Sequence, residues 1–192
     1  ITTGEGGMIT TDDPELAARC KRFRHHGMSV SDLDRHKSDK IIIESYLEVA
    51  YNYRMTDIQA AMGIVQLAKL PEILKKRTVI AKRYNDAFSR ISCLRTPKVP
   101  AYAQHNYQSY WVEVMPNAPI GRDALMERLL VAGVCTRRGI MAIHKEPCYS
   151  SYRVELPVTE RMTANSIIFP LYPSMTDPEI EFVIESVSNI ML

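Results

Sequence analysis

Three stretches of this sequence hold residues suited to binding or moving charged groups. The first, Ile1-Thr2-Thr3-Gly4-Glu5-Gly6-Gly7-Met8, places three glycines within four positions. Clustered glycines let backbone approach a ligand closely. The string nevertheless fits neither the dinucleotide fingerprint nor the Lys-Ser/Thr ending of a triphosphate loop. Read locally, residues 1–11 are a strand, a tight glycine turn and a second strand. The second stretch pairs Asn52 with Arg54. An uncharged amide is a hydrogen-bond donor, and a planar guanidinium suits phosphate or carboxylate. The local alternatives are that Asn52 ends a strand or caps the turn before a helix at Thr56, and that Arg54 is an interface ion-pair residue. The third stretch runs from Arg137 and Arg138 to His144 and Tyr149. Two arginines complement a diphosphate, whereas a lone histidine in such a stretch either contacts substrate or packs and caps.

Other reactive residue types carry less. His25 and His26 end a helical pattern rich in cations before Gly27, where dipole pairing explains them, and adjacent helical side chains diverge too far to share a metal. Cys20, Cys93, Cys135 and Cys148 lack CxxC pairing and histidines at ligand spacing. No metal site or disulfide framework is expected, and reduced thiols in a cytoplasmic protein are the simplest account. No Ser or Cys sits in a nucleophile elbow.

The elements that must position these residues follow from local signals. Asp12-Asp13-Pro14-Glu15 starts a helix, with Leu16, Cys20 and Phe23 expected inward. Residues 28–50 read as a long irregular loop reaching over a site or a partner subunit, with short extended pieces at Ile41–Ile43 and Tyr46–Val49. Thr56 and Gln59 form a capping box ahead of Ile58, Ala61, Met62 and Val65, and Pro71 opens a second helix through Phe88. After a composition change between Ser92 and Pro100, a strand is expected over 109–115, a helix from Arg122 to Ala132 closed by Gly133, and a short strand at Val134–Thr136. Thr176 and Glu179 form another box ahead of Ile180, Val183, Ile184 and Val187. With 192 residues, 46% hydrophobic content and a net charge of +2, the chain can bury one good core or two modest ones. Bulk charge gives no reason to expect nucleic acid or a membrane surface as partner, and no apolar run is long enough to span a bilayer.

Four segments resemble, in order along the chain, the DegT/StrS family of pyridoxal-phosphate sugar aminotransferases. They are the Ile1–Met8 string, Phe23-Arg24-His25-His26-Gly27, the run Tyr51-Asn52-Tyr53-Arg54-Met55-Thr56-Asp57-Ile58-Gln59-Ala60-Ala61, and Leu171-Tyr172-Pro173-Ser174-Met175-Thr176-Asp177. The resemblance implies an α/β, fold-type I pyridoxal-phosphate-dependent transferase. Residues 1–92 would be the C-terminal part of its large domain with a long linking helix, and 93–192 its small α/β domain. The cofactor lysine is expected two residues before Ile1, so the chain is expected to be about the C-terminal half of a subunit, with no catalytic residue of its own. None of Lys21, Lys37, Lys40, Lys69 or Lys145 stands in a matching context. Further implications are pyridoxal 5'-phosphate as cofactor, Asn52 reaching its phosphate across a homodimer interface with Arg54 beside it, and Arg138 and His144 facing the nucleotide-sugar end of the cleft. The implied reaction moves an amino group from glutamate to a keto-sugar nucleotide, in nucleotide-sugar and polysaccharide biosynthesis. The chain departs from the frequent family pattern in lacking a proline two residues before His144. A dehydratase of the same family, with histidine in place of the lysine, fits equally. A non-catalytic regulatory relative and an unrelated interaction domain are the remaining alternatives.

Overall fold

The computed structural model describes residues 1–192 other than the side chains of Asp32 and Leu33. The chain divides into two units, residues 1–70 and 71–192.

In the first unit, α1 (Pro14–Phe23) begins where expected: the Asp13 carboxylate accepts from the amides of Glu15 and Leu16 at 2.9 and 3.1 Å. The helix buries no residue, and Leu16 is exposed rather than inward. It also ends at Phe23, earlier than expected. His25 and His26 lie beyond it, and His26 takes a left-handed φ of 57°. A short helix, α2 (Asp32–Lys37), interrupts the expected loop, with Ser31 as its cap. No strand forms at residues 1–11 or 41–43, and the 46–49 piece contributes only the isolated Met28–Tyr46 bridge. The first segment is instead a turn held by its own side chains. Thr2 Oγ1 accepts from the Gly4 amide at 3.1 Å, and Thr3 Oγ1 donates to the Glu5 carbonyl at 2.9 Å. With those groups engaged locally, no hairpin ladder forms. The capping box of Thr56 and Gln59 is present and opens α3 (Asp57–Ala68).

The second unit is built on a four-stranded antiparallel sheet of order β1-β2-β4-β3. Its strands are β1 (Leu94–Arg95), β2 (Tyr110–Val114), β3 (Arg137–Arg138) and β4 (Ser166–Phe169). Four helices accompany it: α4 (Leu70–Phe88), α5 (Arg122–Val131), α6 (Pro157–Asn165) and α7 (Asp177–Met191). Tyr110 stands opposite Phe169 and Val112 opposite Ile167, so these four share one face. That face packs on Tyr84 and Phe88 of α4, Leu125 and Leu129 of α5, and Val183 and Val187 of α7. Stacked and tilted rings centre the core, with Tyr84 to Tyr110 and Phe88 to Phe169 both at 5.1 Å. Burial pushes the Tyr84 and Tyr110 phenols upward, and each hydroxyl donates a bond, to the Pro170 carbonyl and to Asn85 Oδ1.

The unit boundary lies at the start of α4, upstream of the expected 92/93 division, because Ile80, Ala81, Tyr84 and Phe88 of that helix are buried in the sheet's core. The strand expected at Val134–Thr136 falls instead at Arg137–Arg138. Val134 still donates to the Leu129 carbonyl at 2.8 Å and so belongs to the closing turn of α5, with Gly133 at φ 88°.

Candidate functional site

The sequence signals at 1–8, 23–27 and 51–61, far apart in the chain, meet in the first unit. Backbone bonds tie the second to the third: His26 N to Tyr51 O at 2.9 Å, Tyr51 N to Phe23 O at 3.1 Å, and Tyr53 N to Arg24 O at 2.9 Å. His25, which is buried, forms an isolated bridge with Asn52. The close approach depends on Gly27, whose φ is +72° and where a Cβ would lie 2.2 Å from the Glu48 carbonyl oxygen. Glu48 is fastened in turn by Arg22 at 2.7 Å and Arg19 at 3.5 Å. The first signal joins through α3: Gln59 Nε2 donates to the Glu5 carbonyl at 2.8 Å. A Cβ on Gly6 would meet Thr3 Oγ1 at 2.6 Å and Met55 Cε at 2.9 Å. One amide therefore serves two tasks, since Gln59 Oε1 also accepts from the Thr56 amide in the capping box.

Asn52 and Arg54 emerge from this assembly on the surface. Arg54 Nε donates to Asn52 Oδ1 at 3.1 Å, which leaves the two amide hydrogens of Asn52 as its donor side. Tyr51 and Tyr53 point the other way along this extended piece and stack at 4.9 Å. The arrangement presents an amide donor beside a guanidinium, a donor set that fits a phosphate.

Arg138 and His144 lie in the second unit. Arg138, exposed on β3, pairs with Glu146 at 3.3 Å. His144 sits in a short 3-10 turn (Ile143–Lys145), where its Nε2 lies 3.0 Å from Glu160 Oε1 of α6. Lys145 Nζ and the Leu156 amide reach the same oxygen, each at 3.3 Å. The His144 bond, and after it the Leu156 amide, hold the Glu160 carboxyl below the usual carboxylate range. Glu160 was not foreseeable as a partner of His144. The one sequence signal is its place in the first turn of a helix opened by Pro157, where an acid is expected. Glu113 was missed for a similar reason: a carboxylate in an apolar strand, 3% exposed, pairs with Arg95 of β1 and lies 3.6 Å from Arg161 of α6. Among the described residues no group of three or more His, Cys, Asp or Glu is placed to hold a metal, and no helix is long and apolar enough to cross a membrane.

A fold of this kind, with four ordered signals of which three converge on one surface, defines a class. The profile of the DegT/DnrJ/EryC1/StrS aminotransferase family matches residues 1–188, and the chain belongs to that family. An uncharacterised protein of Methanocaldococcus jannaschii is 34% identical over 196 residues, covering 100% of this chain and 51% of that protein. The aminotransferase TlmJ from Streptoalloteichus hindustanus superposes with a TM-score of 0.81 at 32% identity, over 96% of this chain and 47% of that one. The aminotransferase from Psychrobacter cryohalolentis gives a TM-score of 0.88 at 26% identity, over 99% and 53%. The chain thus spans about half the length of these relatives. The architecture is that of the C-terminal portion of a fold-type I aminotransferase.

Proposed function

We propose that this chain supplies the phosphate-side and substrate-side surfaces of a pyridoxal-phosphate enzyme that transfers the amino group of glutamate to a keto-sugar nucleotide. The observation that carries this reading is the convergence of three family signals around an exposed Asn52 amide braced by Arg54. Asn52 would donate to the phosphate of the cofactor in a partner subunit of a homodimer, with Arg54 adding charge beside it. Arg138 and His144 would meet the nucleotide sugar. When bound, pyridoxal phosphate acts as an electron sink and carries the amino group between the two half-reactions. The residues of this chain bind and orient: an amide donor and a guanidinium satisfy phosphate oxygens without the desolvation cost that a buried lone charge would carry.

The test uses the full-length protein. Added pyridoxal phosphate is expected to give visible absorbance that glutamate alone shifts. In a separate sample without glutamate, borohydride reduction followed by peptide mapping should find the label on a lysine two residues ahead of Ile1. Asn52→Asp places a carboxylate against the phosphate and should weaken cofactor binding about tenfold or more, with the fold intact by circular dichroism. An unshifted spectrum with glutamate, or unchanged cofactor affinity in Asn52→Asp, would remove the aminotransferase reading or the Asn52 assignment respectively.

A further inference from the structure

We infer that Glu160 is a positioning residue that fixes the His144 ring so that its Nδ1 accepts a hydrogen bond from a donor on the substrate, a sugar hydroxyl or a nucleobase N–H. The inference rests on the reading of His144 as a substrate contact and adds which atom makes the contact and what chemistry it selects.

The geometry leaves little freedom. A carboxylate accepts and cannot donate, so His144 Nε2, 3.0 Å from Glu160 Oε1, must be the protonated nitrogen. In the neutral ring the other nitrogen then carries a lone pair. Nδ1 has no hydrogen-bond partner among the described residues and is not sealed from solvent, although the side chain as a whole is only 10% exposed. Lys145 Nζ and the Leu156 amide share that oxygen, each at 3.3 Å, and so hold the carboxylate in place against the ring.

The helix that carries Glu160 is itself anchored. Arg161, next in sequence, reaches the buried Glu113 carboxylate of β2 at 3.6 Å. The Arg122 guanidinium ties the far end by donating to the carbonyls of Thr163 and Ser166, both at 3.1 Å. Side chains fixed on an anchored element orient a partner far better than side chains on a loop. His144 itself lies in a three-residue turn (Ile143–Lys145) that meets this helix through the ring and through Lys145 Nζ, both on Glu160. A bare ring nitrogen repels an oxyanion and attracts a donor, so the diphosphate is left to cations such as Arg138, and His144 reads the uncharged part of the ligand.

The experiment takes the full-length, cofactor-loaded protein labelled with nitrogen-15 histidine, above the pH at which the ring protonates. The His144 signals are assigned by their disappearance in His144→Gln. The expected result is a protonated Nε2 with a bare Nδ1, changing to a mixture of tautomers in Glu160→Gln, whose shape is conserved but whose amide both donates and accepts. Titration with UDP and UDP-glucose should move the Nδ1 signal. His144→Gln should lose about three- to tenfold in affinity for whichever probe moves it. A shift with UDP-glucose alone places the donor on the sugar, and a shift with both places it on the nucleoside. A protonated Nδ1 in the wild type, or a tautomer unaffected by Glu160→Gln, overturns the role of Glu160. The wild-type spectrum decides this even if that variant folds poorly. An expected tautomer whose Nδ1 ignores both probes overturns the substrate contact while the Glu160 lock stands. The glutamate-induced spectral shift, which does not involve His144, reports separately on the proposed reaction.

Discussion

Gln59 shows how one side chain can join a helix start to a loop that would otherwise be loose. Its Oε1 closes the capping box and its Nε2 holds the Glu5 carbonyl, so the two halves of the amide can be separated by substitution. Gln59→Glu keeps an acceptor for the Thr56 amide and loses the donor to Glu5, replacing it with an oxygen that faces another oxygen. The expected outcome is an unchanged α3 with a released first segment. Hydrogen exchange at residues 3–8 should accelerate, while the amides of α3 keep their protection, and the net cost should be about 1 kcal/mol. Equal loosening of both segments would show that the box and the loop do not separate. The same residue marks what was legible at this scale. The Thr56–Gln59 spacing announced the helix start because capping is chemistry within four residues. The bond to Glu5, 54 positions away, left no local trace. Asn52 and Arg54 stood out by residue type, and their bond to each other fits a spacing of two in an extended piece; the phosphate role proposed for them rests on family context. The buried Glu113 and the Glu160 partnership with His144 were not legible, since strand and helix patterns say nothing about which charge a neighbour carries.

At the scale of elements, α7 offers the clearest test, because its start combines a capping box with a titrating group. Glu179 accepts from the Thr176 amide at 2.7 Å, and Thr176 Oγ1 accepts from the Glu179 amide at 3.4 Å. The Thr176 amide, then the Thr176 hydroxyl and the Tyr172 hydroxyl, hold the Glu179 carboxyl below its ordinary value of 4.5. A carboxylate whose value is lowered by folding stabilises the native state above its unfolded value, and this is lost as the pH falls through the folded one. The denaturation midpoint should therefore decline on acidification below about 4.5, and Glu179→Gln should flatten that decline. Thr176→Ala should cost about 1 kcal/mol at neutral pH. An unaltered pH slope in Glu179→Gln would show that the ionised box contributes nothing to stability. Elements defined by such local chemistry were legible: α1, α3, α5 and α7 all begin within a residue of their sequence signals. The two-residue strands β1 and β3 were not, because a strand that short exists only through its partner. For β3 the partner, β4, lies about thirty residues further on, and the helix α6 that delivers it has no side-chain cap to announce it.

The two units of the molecule solve the burial problem differently, and this determines what each can do alone. The second carries every residue of the buried hydrophobic core cluster, from Ile80 to Met191, with sheet, α4, α5 and α7 closing around it. Burying an apolar side chain fully is worth about 1.5–3 kcal/mol relative to exposing it, so this cluster can drive folding. The first unit buries only His25 and Gly27 among its described residues. Ile58, Met62 and Val65, which repeat on one face of α3, are all exposed, as are Ile64 and Leu67. Backbone bonds and the Glu48 ion pairs hold its motifs in register, but surface ion pairs contribute about 0–1 kcal/mol each and cannot replace a core. Residues 71–192 expressed alone should therefore unfold in one cooperative transition on urea titration. Within that piece Leu125→Ala, at a fully buried position, should cost about 2–5 kcal/mol. Residues 1–70 alone should show no cooperative transition and should bind a hydrophobic dye, since one face of α3 has nothing from its own unit to cover it. A sharp transition in the shorter piece would mean that its hydrogen-bonded turns suffice for stability. The surface that offers Asn52 would then be a self-supporting platform, with no need of apolar cover from elsewhere.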